Sequence, residues 1–108
     1  MISQITILFF AGLREKTNTK ETTIQFKTAS ISLLKIVKRI IQQYTQLSEI
    51  FFPKIPPNQI DEYLGDEVNF TLTRVRFARN RKIIAHPTHE VHFTDGDTLA
   101  IFLPLIGG

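Results

Sequence analysis

Two stretches near the start of the chain show the hydrophobic and polar alternation of half-buried strands. Gln4–Phe10 alternates and then becomes fully apolar, and Glu21–Phe26 alternates again, so each stretch predicts a strand. Between them, Ala11–Asn18 contains a glycine followed by charged residues, which predicts a loop with room for one helical turn. Because far more than two residues separate the two strands, the connection between them predicts a wide hairpin.

A single helix is predicted over Ser30–Leu47, where apolar residues recur at spacings of three and four. The apolar stripe consists of Leu33, Leu34, Val37, Ile40, Ile41, Tyr44 and Leu47. The opposite face carries Lys35, Lys38, Arg39, Gln42 and Gln43. Either Ser30 or Ser32 fits the N-cap, and the pattern does not choose between them. A stripe of this width predicts that the helix covers one face of a small sheet.

Residues 48–67 predict an irregular segment, because Pro53, Pro56 and Pro57 forbid a continuous helix or a central strand. One short helical turn is predicted within it, over Ile60–Leu64. Its apolar residues allow two interpretations. The segment either covers an open end of the core, which is the favoured interpretation, or forms a partner-binding surface.

An amphipathic strand and a return strand are predicted after this segment. Val68–Phe77 alternates, with a change of side at Thr73–Arg74 that suggests a bulge or a break. Arg79–Lys82 predicts a turn, and Ile83–Ala85 predicts the short strand that follows it. The chain therefore continues the sheet after the long irregular connection.

The last strand is the most apolar of all. Glu90–Phe93 predicts a brief extended connection into an Asp95–Gly96 turn, and Thr98–Leu103 then predicts a strand covered on both faces. The first and last strands are the most hydrophobic, so we expect them to pair centrally and in parallel. A mixed sheet covered by one main helix is the β-grasp arrangement of ubiquitin-like proteins, an α+β fold, with residues 1–108 as one domain.

Composition narrows the classes of function. The chain has 108 residues, of which 43% are hydrophobic, as is typical of a globular domain. It has no cysteine, so disulfides, thiolate catalysis and cysteine-based zinc sites are excluded. The net charge of +3 suits an acidic partner surface or a phosphate-bearing ligand but is too weak by itself to indicate nucleic-acid binding. No signal peptide or membrane span is visible, so a cytoplasmic protein is expected.

The sequence after the last strand reads Pro104, Leu105, Ile106, Gly107 and Gly108. Pro104 cannot donate to a sheet ladder, so pairing is expected to end before it. Glycines lack Cβ atoms, so a Gly-Gly tail can pass through a narrow channel and present its carboxylate to another protein. A frayed terminus is the competing interpretation.

Both ends of the chain resemble the MoaD-type sulfur carriers, the small subunits of molybdopterin synthase. Ile7–Glu15 is similar to the opening of that family, and Asp95–Gly108 is similar to its end, with a turn, a strand, a phenylalanine and a terminal Gly-Gly. The order of the elements between them agrees. The chain departs from the family in having Leu103 before Pro104 where two prolines are usual, and in its greater length, chiefly over residues 48–67 and 86–93.

The resemblance implies a chemistry for the tail. An ATP-using enzyme related to ubiquitin-activating enzymes, MoeB-like, would adenylate Gly108, and a sulfur donor would convert the acyl group to a thiocarboxylate. The tail would then enter the large subunit of molybdopterin synthase, MoaE-like, and donate sulfur to a pyranopterin precursor in molybdenum cofactor biosynthesis. The chain itself would be a non-catalytic carrier subunit with no stably bound cofactor, assembled with two copies of each subunit.

The resemblance also implies roles for residues near the tail. Gly107 would allow close passage through the partner's channel, and Pro104 would stiffen the exit of the tail, with Ile106 between them. Phe10 and Phe102 match aromatic residues of the family's docking face. For these two phenylalanines, core packing is an equally supported alternative, because large aromatic residues are usually buried.

Three other kinds of function remain open. A ThiS-type carrier for thiazole synthesis has the same tail, but such chains are usually shorter and the opening at Phe10–Glu15 argues against it. A protein modifier would use the same activated tail to form an isopeptide with a lysine. A ubiquitin-like binding module would leave Gly107 and Gly108 inert.

Three clusters of polar side chains are assigned no metal-binding or catalytic role. The histidines have no recognisable ligand spacing, so no metal site is expected at His86, His89 and His92. A basic cluster is interpreted as solvated or as attractive to an acidic partner, without nucleic-acid binding: Arg74, Arg76, Arg79, Arg81 and Lys82. An acidic group is interpreted as solvating charge: Asp61, Glu62, Asp66 and Glu67.

Overall fold

The computed structural model describes residues 2–59, 62, 74–85 and 90–103. In chain order the elements are β1 (Ser3–Phe9), α1 (Ala11–Thr17), β2 (Glu21–Phe26), β3 (Ser30–Ser32), α2 (Leu33–Gln43), α3 (Ser48–Phe51), β4 (Arg76–Arg79), β5 (Lys82–Ile83), β6 (His92–Thr94) and β7 (Thr98–Phe102). Short 3₁₀ turns occupy Thr45–Leu47 and Pro57–Gln59.

Five strands form a mixed sheet in the order β2-β1-β7-β4-β5. The central pair, β1 and β7, is parallel, with Thr6 opposite Thr98 and Phe9 opposite Ile101. The outer pairs β1–β2, β4–β7 and β4–β5 are antiparallel. The prediction that the two most hydrophobic strands pair centrally and in parallel is confirmed, and with α2 across the sheet it gives the expected α+β, β-grasp fold.

Helix α2 covers one face of the sheet, which we call the inner face. Its buried residues are Leu33, Ile36, Val37, Ile40 and Ile41. They pack in one core with inner-face residues of the strands, among them Ile5, Ile7, Phe9, Phe77, Leu99 and Ile101, each with no exposed surface. Ile36 was absent from the predicted stripe, although it lies between Leu33 and Ile40 on the same side. The predicted Leu34 is only half-buried, so the buried stripe is shifted toward Ile36 relative to the sequence pattern.

The predicted start of α2 is wrong by three residues. Ser30–Ser32 is strand β3, which pairs antiparallel with β6 and forms a second, two-stranded sheet. The Ser32 hydroxyl accepts the N–H of Lys35 at 3.1 Å, so Ser32 and not Ser30 is the N-cap. The helix ends at Gln43, before Tyr44 and the 3₁₀ turn. Part of the predicted connection at Glu90–Phe93 is therefore a strand, because β6 (His92–Thr94) pairs with β3.

The predicted loop at Ala11–Asn18 is a two-turn helix, α1. Leu13 is completely buried and fixes the helix against the core. At its C-terminal end, Asn18 adopts a left-handed conformation with φ of 53°, and its N–H donates to the carbonyl of Arg14. Thr17 is also buried and donates its hydroxyl to the Leu13 carbonyl at 2.9 Å. Long-range packing of Leu13 therefore overrides a local sequence that contains Gly12 and several charges.

The described part of the irregular segment packs on the core, as the favoured interpretation predicts. Phe51 and Phe52 are completely buried, and the Phe51 ring meets Phe77 edge-on with centroids 6.5 Å apart. Apart from Glu62, the turn predicted over Ile60–Leu64 lies outside the described residues. Of the strand predicted over Val68–Phe77, residues 68–73 also lie outside them, and β4 begins at Arg76.

No helix in the described part of the chain combines the length and the apolar character needed to cross a membrane.

Candidate docking face and tail exit

The strands place a second set of side chains on the face of the sheet that α2 does not cover, which we call the outer face. Along β1 the burial alternates strictly: Ser3, Ile5, Ile7 and Phe9 are buried, whereas Gln4, Thr6 and Leu8 are exposed or half-buried. This alternation follows from the twofold period of a strand. Phe10 continues it and exposes 41% of its surface.

The outer face forms an apolar groove. Ala78 of β4 lies directly opposite Ala100 of β7, which in turn lies opposite Leu8 of β1. The two alanines form a low floor, and larger apolar side chains line the groove around it: Leu8, Phe10, Phe102 and Leu103. The depression encloses about 810 Å³ and opens to solvent. Such a concave apolar surface on a small domain is a candidate interaction site.

The groove has one acidic and one basic side chain on its lining. Glu21 lies on β2, opposite Leu8 of β1, and Arg81 lies in the turn between β4 and β5. The two charges therefore come from opposite sides of the five-stranded sheet. Beside the groove, Ile83 of β5 pairs with Ala78 and exposes 63% of its surface.

The prediction that the last strand is covered on both faces is wrong for the described domain. In β7 only Leu99 and Ile101 are buried, whereas Thr98, Ala100 and Phe102 are half-exposed on the outer face. The strand therefore carries apolar residues on a face that no described element covers. A sequence of this kind is typical of a strand whose second face becomes covered when a partner binds.

Asp97, immediately before β7, connects two turns at this end of the sheet: the turn between β4 and β5 and the Asp95–Gly96 turn between β6 and β7. Its carboxylate accepts from Arg79 Nη2 at 2.9 Å, from Asn80 Nδ2 at 2.9 Å and from the Thr94 N–H at 2.8 Å. The side chain of Asn80 also accepts the N–H of Thr98 at 2.9 Å. These hydrogen bonds hold the N-terminal end of β7 in place.

The pKa of Asp97 lies below its ordinary value. Burial by itself raises the pKa of this carboxyl group. The hydrogen bonds from Asn80 and Thr94 and the positive charge of Arg79 outweigh burial and lower the pKa. Asp97 is therefore a charged structural acceptor at neutral pH, fully engaged by its donors.

The structure places two of the six predicted site residues. Phe10 and Phe102 both line the outer groove, and neither belongs to the buried core. Pro104, Ile106, Gly107 and Gly108 lie outside the described residues. The described chain ends one residue after β7, at Leu103, whose side chain lies 3.6 Å from the position of a Cβ on Gly12.

The structure describes the three clusters of histidine, basic and acidic residues to different extents. Of the histidines only His92 is described, with Nδ1 2.7 Å from the carbonyl oxygen of Glu90. Within the described ranges no group of three potential ligands is close enough to hold a metal. In the basic cluster, Arg79 is half-buried and paired with Asp97, while Arg74, Arg76, Arg81 and Lys82 are exposed. Of the acidic group only Glu62 is described.

Sequence reasoning missed the floor of the groove and the network around Asp97. Alanines carry no chemistry that would have marked Ala78 and Ala100. Their signal lay in the period of two, because Thr98, Ala100 and Phe102 alternate with the buried Leu99 and Ile101. Asp97 lies between the predicted Asp95–Gly96 turn and the predicted last strand, and its partners Arg79 and Asn80 are almost twenty residues earlier, so no local pattern indicates the network.

The mixed sheet with its parallel central pair and the helix α2 across it form a ubiquitin-like, β-grasp fold, and the sequence after the last strand contains Gly107 and Gly108. The model of the ThiS family matches residues 7–108, and the chain belongs to this family of ubiquitin-like sulfur carriers. No curated protein matches the chain significantly.

Several solved structures share the fold over almost the whole chain. Small archaeal modifier protein 1 from Methanosarcina acetivorans is 22% identical with a TM-score of 0.72, covering 100% of this chain and 99% of its own. A protein described as molybdopterin converting factor subunit 1 from Pyrococcus furiosus is 16% identical with a TM-score of 0.67, covering 95% and 99%. A complex of subunits 1 and 2 of molybdopterin-converting factor from Helicobacter pylori 26695 gives 19% identity and a TM-score of 0.52, covering 97% and 99%.

Proposed function

We propose that this protein is a MoaD-type sulfur carrier, the small subunit of a molybdopterin synthase. The observation that carries the proposal is the outer groove, an uncovered apolar face on the strand that leads into the Gly-Gly sequence. Family membership and the opening sequence at Ile7–Glu15 support it. The domain contributes presentation and docking, and the carboxylate of Gly108 carries the sulfur.

The chemistry proposed for the tail has two steps. The activating enzyme transfers AMP from ATP to the Gly108 carboxylate and releases pyrophosphate. The donor supplies sulfur at the sulfide level as HS⁻, whose sulfur bonds to the acyl carbon while the bond from that carbon to the phosphate-bound oxygen breaks. AMP leaves with one former carboxylate oxygen, and loss of the proton from sulfur gives the Gly108 thiocarboxylate. Gly107 has no Cβ to obstruct either partner's channel. We propose that the domain contributes no acid or base to these steps.

The proposed partners are a MoaE-like large subunit and a MoeB-like adenylating enzyme. A large subunit is supported by the Helicobacter pylori neighbour, which is a complex of subunits 1 and 2 of its converting factor. The apolar contacts of this domain with the large subunit would come from Leu8, Phe10 and Phe102 in the outer groove. The proposed sulfur acceptor is a pyranopterin precursor of molybdenum cofactor, bound by the large subunit.

The test is the intact mass of the protein purified from its host or after co-expression with the activating enzyme. We expect a mass increase equal to the exchange of one oxygen for sulfur, mapped to Gly108. Gly108→Phe should remove this shift while circular dichroism and the unfolding midpoint stay unchanged. An unshifted wild-type mass in the presence of a demonstrably active partner refutes the sulfur-carrier assignment.

Docking through the outer groove is tested separately. Ala100→Arg places a long charged side chain on the groove floor and should abolish co-purification with the large subunit. Gln42→Arg adds the same charge to the exposed side of α2 and serves as the matched control. Equal binding by both variants would show that the partner uses another surface.

A protein modifier is the second candidate function. It is favoured by the similarity in fold to small archaeal modifier protein 1, whose name states that role for that protein. In this case a lysine amine of a target would attack the activated Gly108 in place of sulfur. Immunoblots of the tagged protein from its host would then show a ladder of covalent conjugates that disappears in a variant lacking Gly107 and Gly108.

A further inference from the structure

The two edges of the five-stranded sheet differ in how well they are protected against pairing with another chain. At one edge, β5 has only two residues and begins with Lys82. At the other edge, β2 has six residues, Glu21–Phe26, and pairs with β1 in an unbroken register without a bulge. Natural edge strands avoid pairing through short length, lysine, proline or a bulge, and β2 has none of these. Its sequence therefore allows a further strand to pair with it.

Every second residue of β2 directs its backbone N–H and C=O groups away from β1. The N–H of Phe9 donates to the carbonyl of Lys20 at 3.0 Å, so Lys20 faces β1. The N–H of Thr6, which lies opposite Thr23, donates instead to the carbonyl of Asp97 at 3.1 Å, on the β7 side. Because these directions alternate along an antiparallel pair, three residues point their backbone groups outward: Glu21, Thr23 and Gln25. Within residues 2–59, 62, 74–85 and 90–103, no hydrogen bond reaches these outward groups.

A second copy of β2, running antiparallel, fits this edge in a register that also pairs opposite charges. With Thr23 of each copy opposite Gln25 of the other, both residues point their backbone groups at each other and exchange hydrogen bonds. The same register brings Glu21 of each copy opposite Lys27 of the other, directly after β2. Both side chains are exposed and make no ion pair within the described part of the chain. A shift by two residues in either direction would leave Glu21 opposite Gln25 or Ala29 and lose both charge pairs.

We propose that this protein forms a homodimer in which the β2 strands of two copies pair antiparallel and join the two sheets edge to edge. A second copy is the occupant that the observations favour, because the same strand supplies each outward backbone group and each charge that the other copy needs. The contact is the same on both copies and is related by a twofold axis at Ile24, perpendicular to the sheet. The inference goes beyond the proposed function and does not depend on it.

This pairing fixes where the other surfaces of the two copies lie. Both α2 helices lie on one side of the joined sheet, and both outer grooves lie on the other. Because the twofold axis reverses the strand direction, the two β7 strands run in opposite directions, and their C-terminal ends at Phe102 lie at opposite ends of the sheet. The groove floor at Ala78 and Ala100 is on β4 and β7, away from the β2 edge, so the contact leaves it uncovered. Dimerisation is therefore compatible with docking through the groove.

Sedimentation equilibrium of the full chain tests the proposal. A contact of one strand pair is small, so we expect the mean mass to rise from that of one copy towards that of two between about 5 µM and about 1 mM. Glu21→Lys and Lys27→Glu each place like charges opposite one another at both ends of the contact. Each should raise the dissociation constant of the dimer about tenfold. The double variant Glu21→Lys with Lys27→Glu restores both pairs with exchanged signs and should dimerise as wild type does.

Mixing the two single variants tests the register directly. Each associates weakly alone, whereas in the mixture every lysine at positions 21 and 27 faces a glutamate of the other chain, so a heterodimer should form with about wild-type affinity. Lys82→Glu makes the same charge change on β5, at the opposite edge, and should leave the dissociation constant unchanged. Gln25→Pro removes an N–H that β1 does not use, so the domain should keep its circular dichroism spectrum while the dimer is lost.

Three outcomes would overturn the proposal. The first is a wild type that stays a single copy over the whole concentration range. The second is a dimer that the single charge variants leave unchanged, because the copies then meet through another surface. The third is a double variant or a mixture that fails to restore dimerisation, because the pairing of Glu21 with Lys27 is then wrong. Sulfur loading at Gly108 is measured independently, so failure of the dimer and failure of the proposed function are distinguishable.

Discussion

The two faces of the five-stranded sheet are built from the same strands but from different kinds of side chain. The inner face consists of large apolar residues with no exposed surface, such as Phe9 and Ile101. The outer face consists of threonines, alanines and a few large apolar residues that stay partly exposed, such as Leu8 and Phe10. The inner face supplies the burial that stabilises the domain, and the outer face leaves apolar area for a partner.

The sharpest test of this difference uses two neighbouring residues. Phe9 is completely buried and meets the Tyr44 ring edge-on with centroids 5.5 Å apart, whereas Phe10 is 41% exposed. Phe9→Ala should lower the free energy of unfolding by about 4 kcal/mol through lost burial and a cavity. Phe10→Ala should lower it by less than about 1 kcal/mol, because half the benefit of burial is already absent. Urea denaturation of both variants checks this, and similar costs for the two would abolish the distinction between the faces.

The next largest loss of stability is expected at Asp97, whose hydrogen-bond donors come from the end of β4 and the turn after it and from the end of β6. Asp97→Asn should lower the free energy of unfolding by about 2 kcal/mol at pH 7, since Arg79, Asn80 and the Thr94 N–H lose a charged acceptor. Because the folded-state pKa of Asp97 is lowered, its contribution is present above the unfolded value, 3.8, and is lost as pH falls through the lower folded pKa.

Thermal unfolding of wild type and Asp97→Asn between pH 7 and acid checks both parts of this prediction. The difference in stability between them should be constant near neutral pH and shrink below about pH 4. A difference that grew on acidification would reverse the sign of the proposed pKa shift.

A smaller effect is expected at the start of α2, the helix that covers the inner face. Ser32→Ala removes the hydroxyl that accepts the Lys35 N–H and should cost about 1 kcal/mol. Ser30→Ala, two residues earlier and exposed, should change stability by less than about 0.5 kcal/mol. Chemical denaturation of the pair measures the difference, and a reversed order would place the cap at Ser30.

The smallest effect on stability is expected at Ile83, beside the groove. Ile83→Thr keeps a β-branched side chain on β5, where 63% of the residue is exposed. The free energy of unfolding should therefore change by less than about 0.5 kcal/mol. Binding of the large subunit should nevertheless weaken, because apolar area at the docking surface is lost. A variant with unchanged affinity would place Ile83 outside the interface.

The sequence predicted the features that depend on long hydrophobic patterns. Gln4–Phe10 and Thr98–Leu103 gave the central parallel pair, and Ser30–Leu47 gave the main helix, because burial along many residues leaves a clear period. The Asp95–Gly96 turn was also predictable, since Gly96 has a φ of 89° that residues with a Cβ rarely adopt.

Features fixed by a few distant contacts were not predictable. Helix α1 has too few buried residues, chiefly Leu13 and Thr17, to show a period. Strands β3 and β6 are three residues each and exist because each pairs with the other. The groove depends on which strands lie side by side, so Ala78 and Ala100 gain a role only once β4 pairs with β7.

The parallel pairing of β1 with β7 also determines when this domain can fold during synthesis. Thr6 and Thr98, 92 positions apart in the chain (98 − 6), lie side by side at the centre of the sheet. Synthesis must therefore reach β7 before β1, already able to pair with β2, can gain its second neighbour, and the sheet lacks its middle strand until then. Folding has to close this long loop, which slows it relative to helical domains of similar size. A nascent chain halted before β7 would expose two unpaired strand edges and invite aggregation.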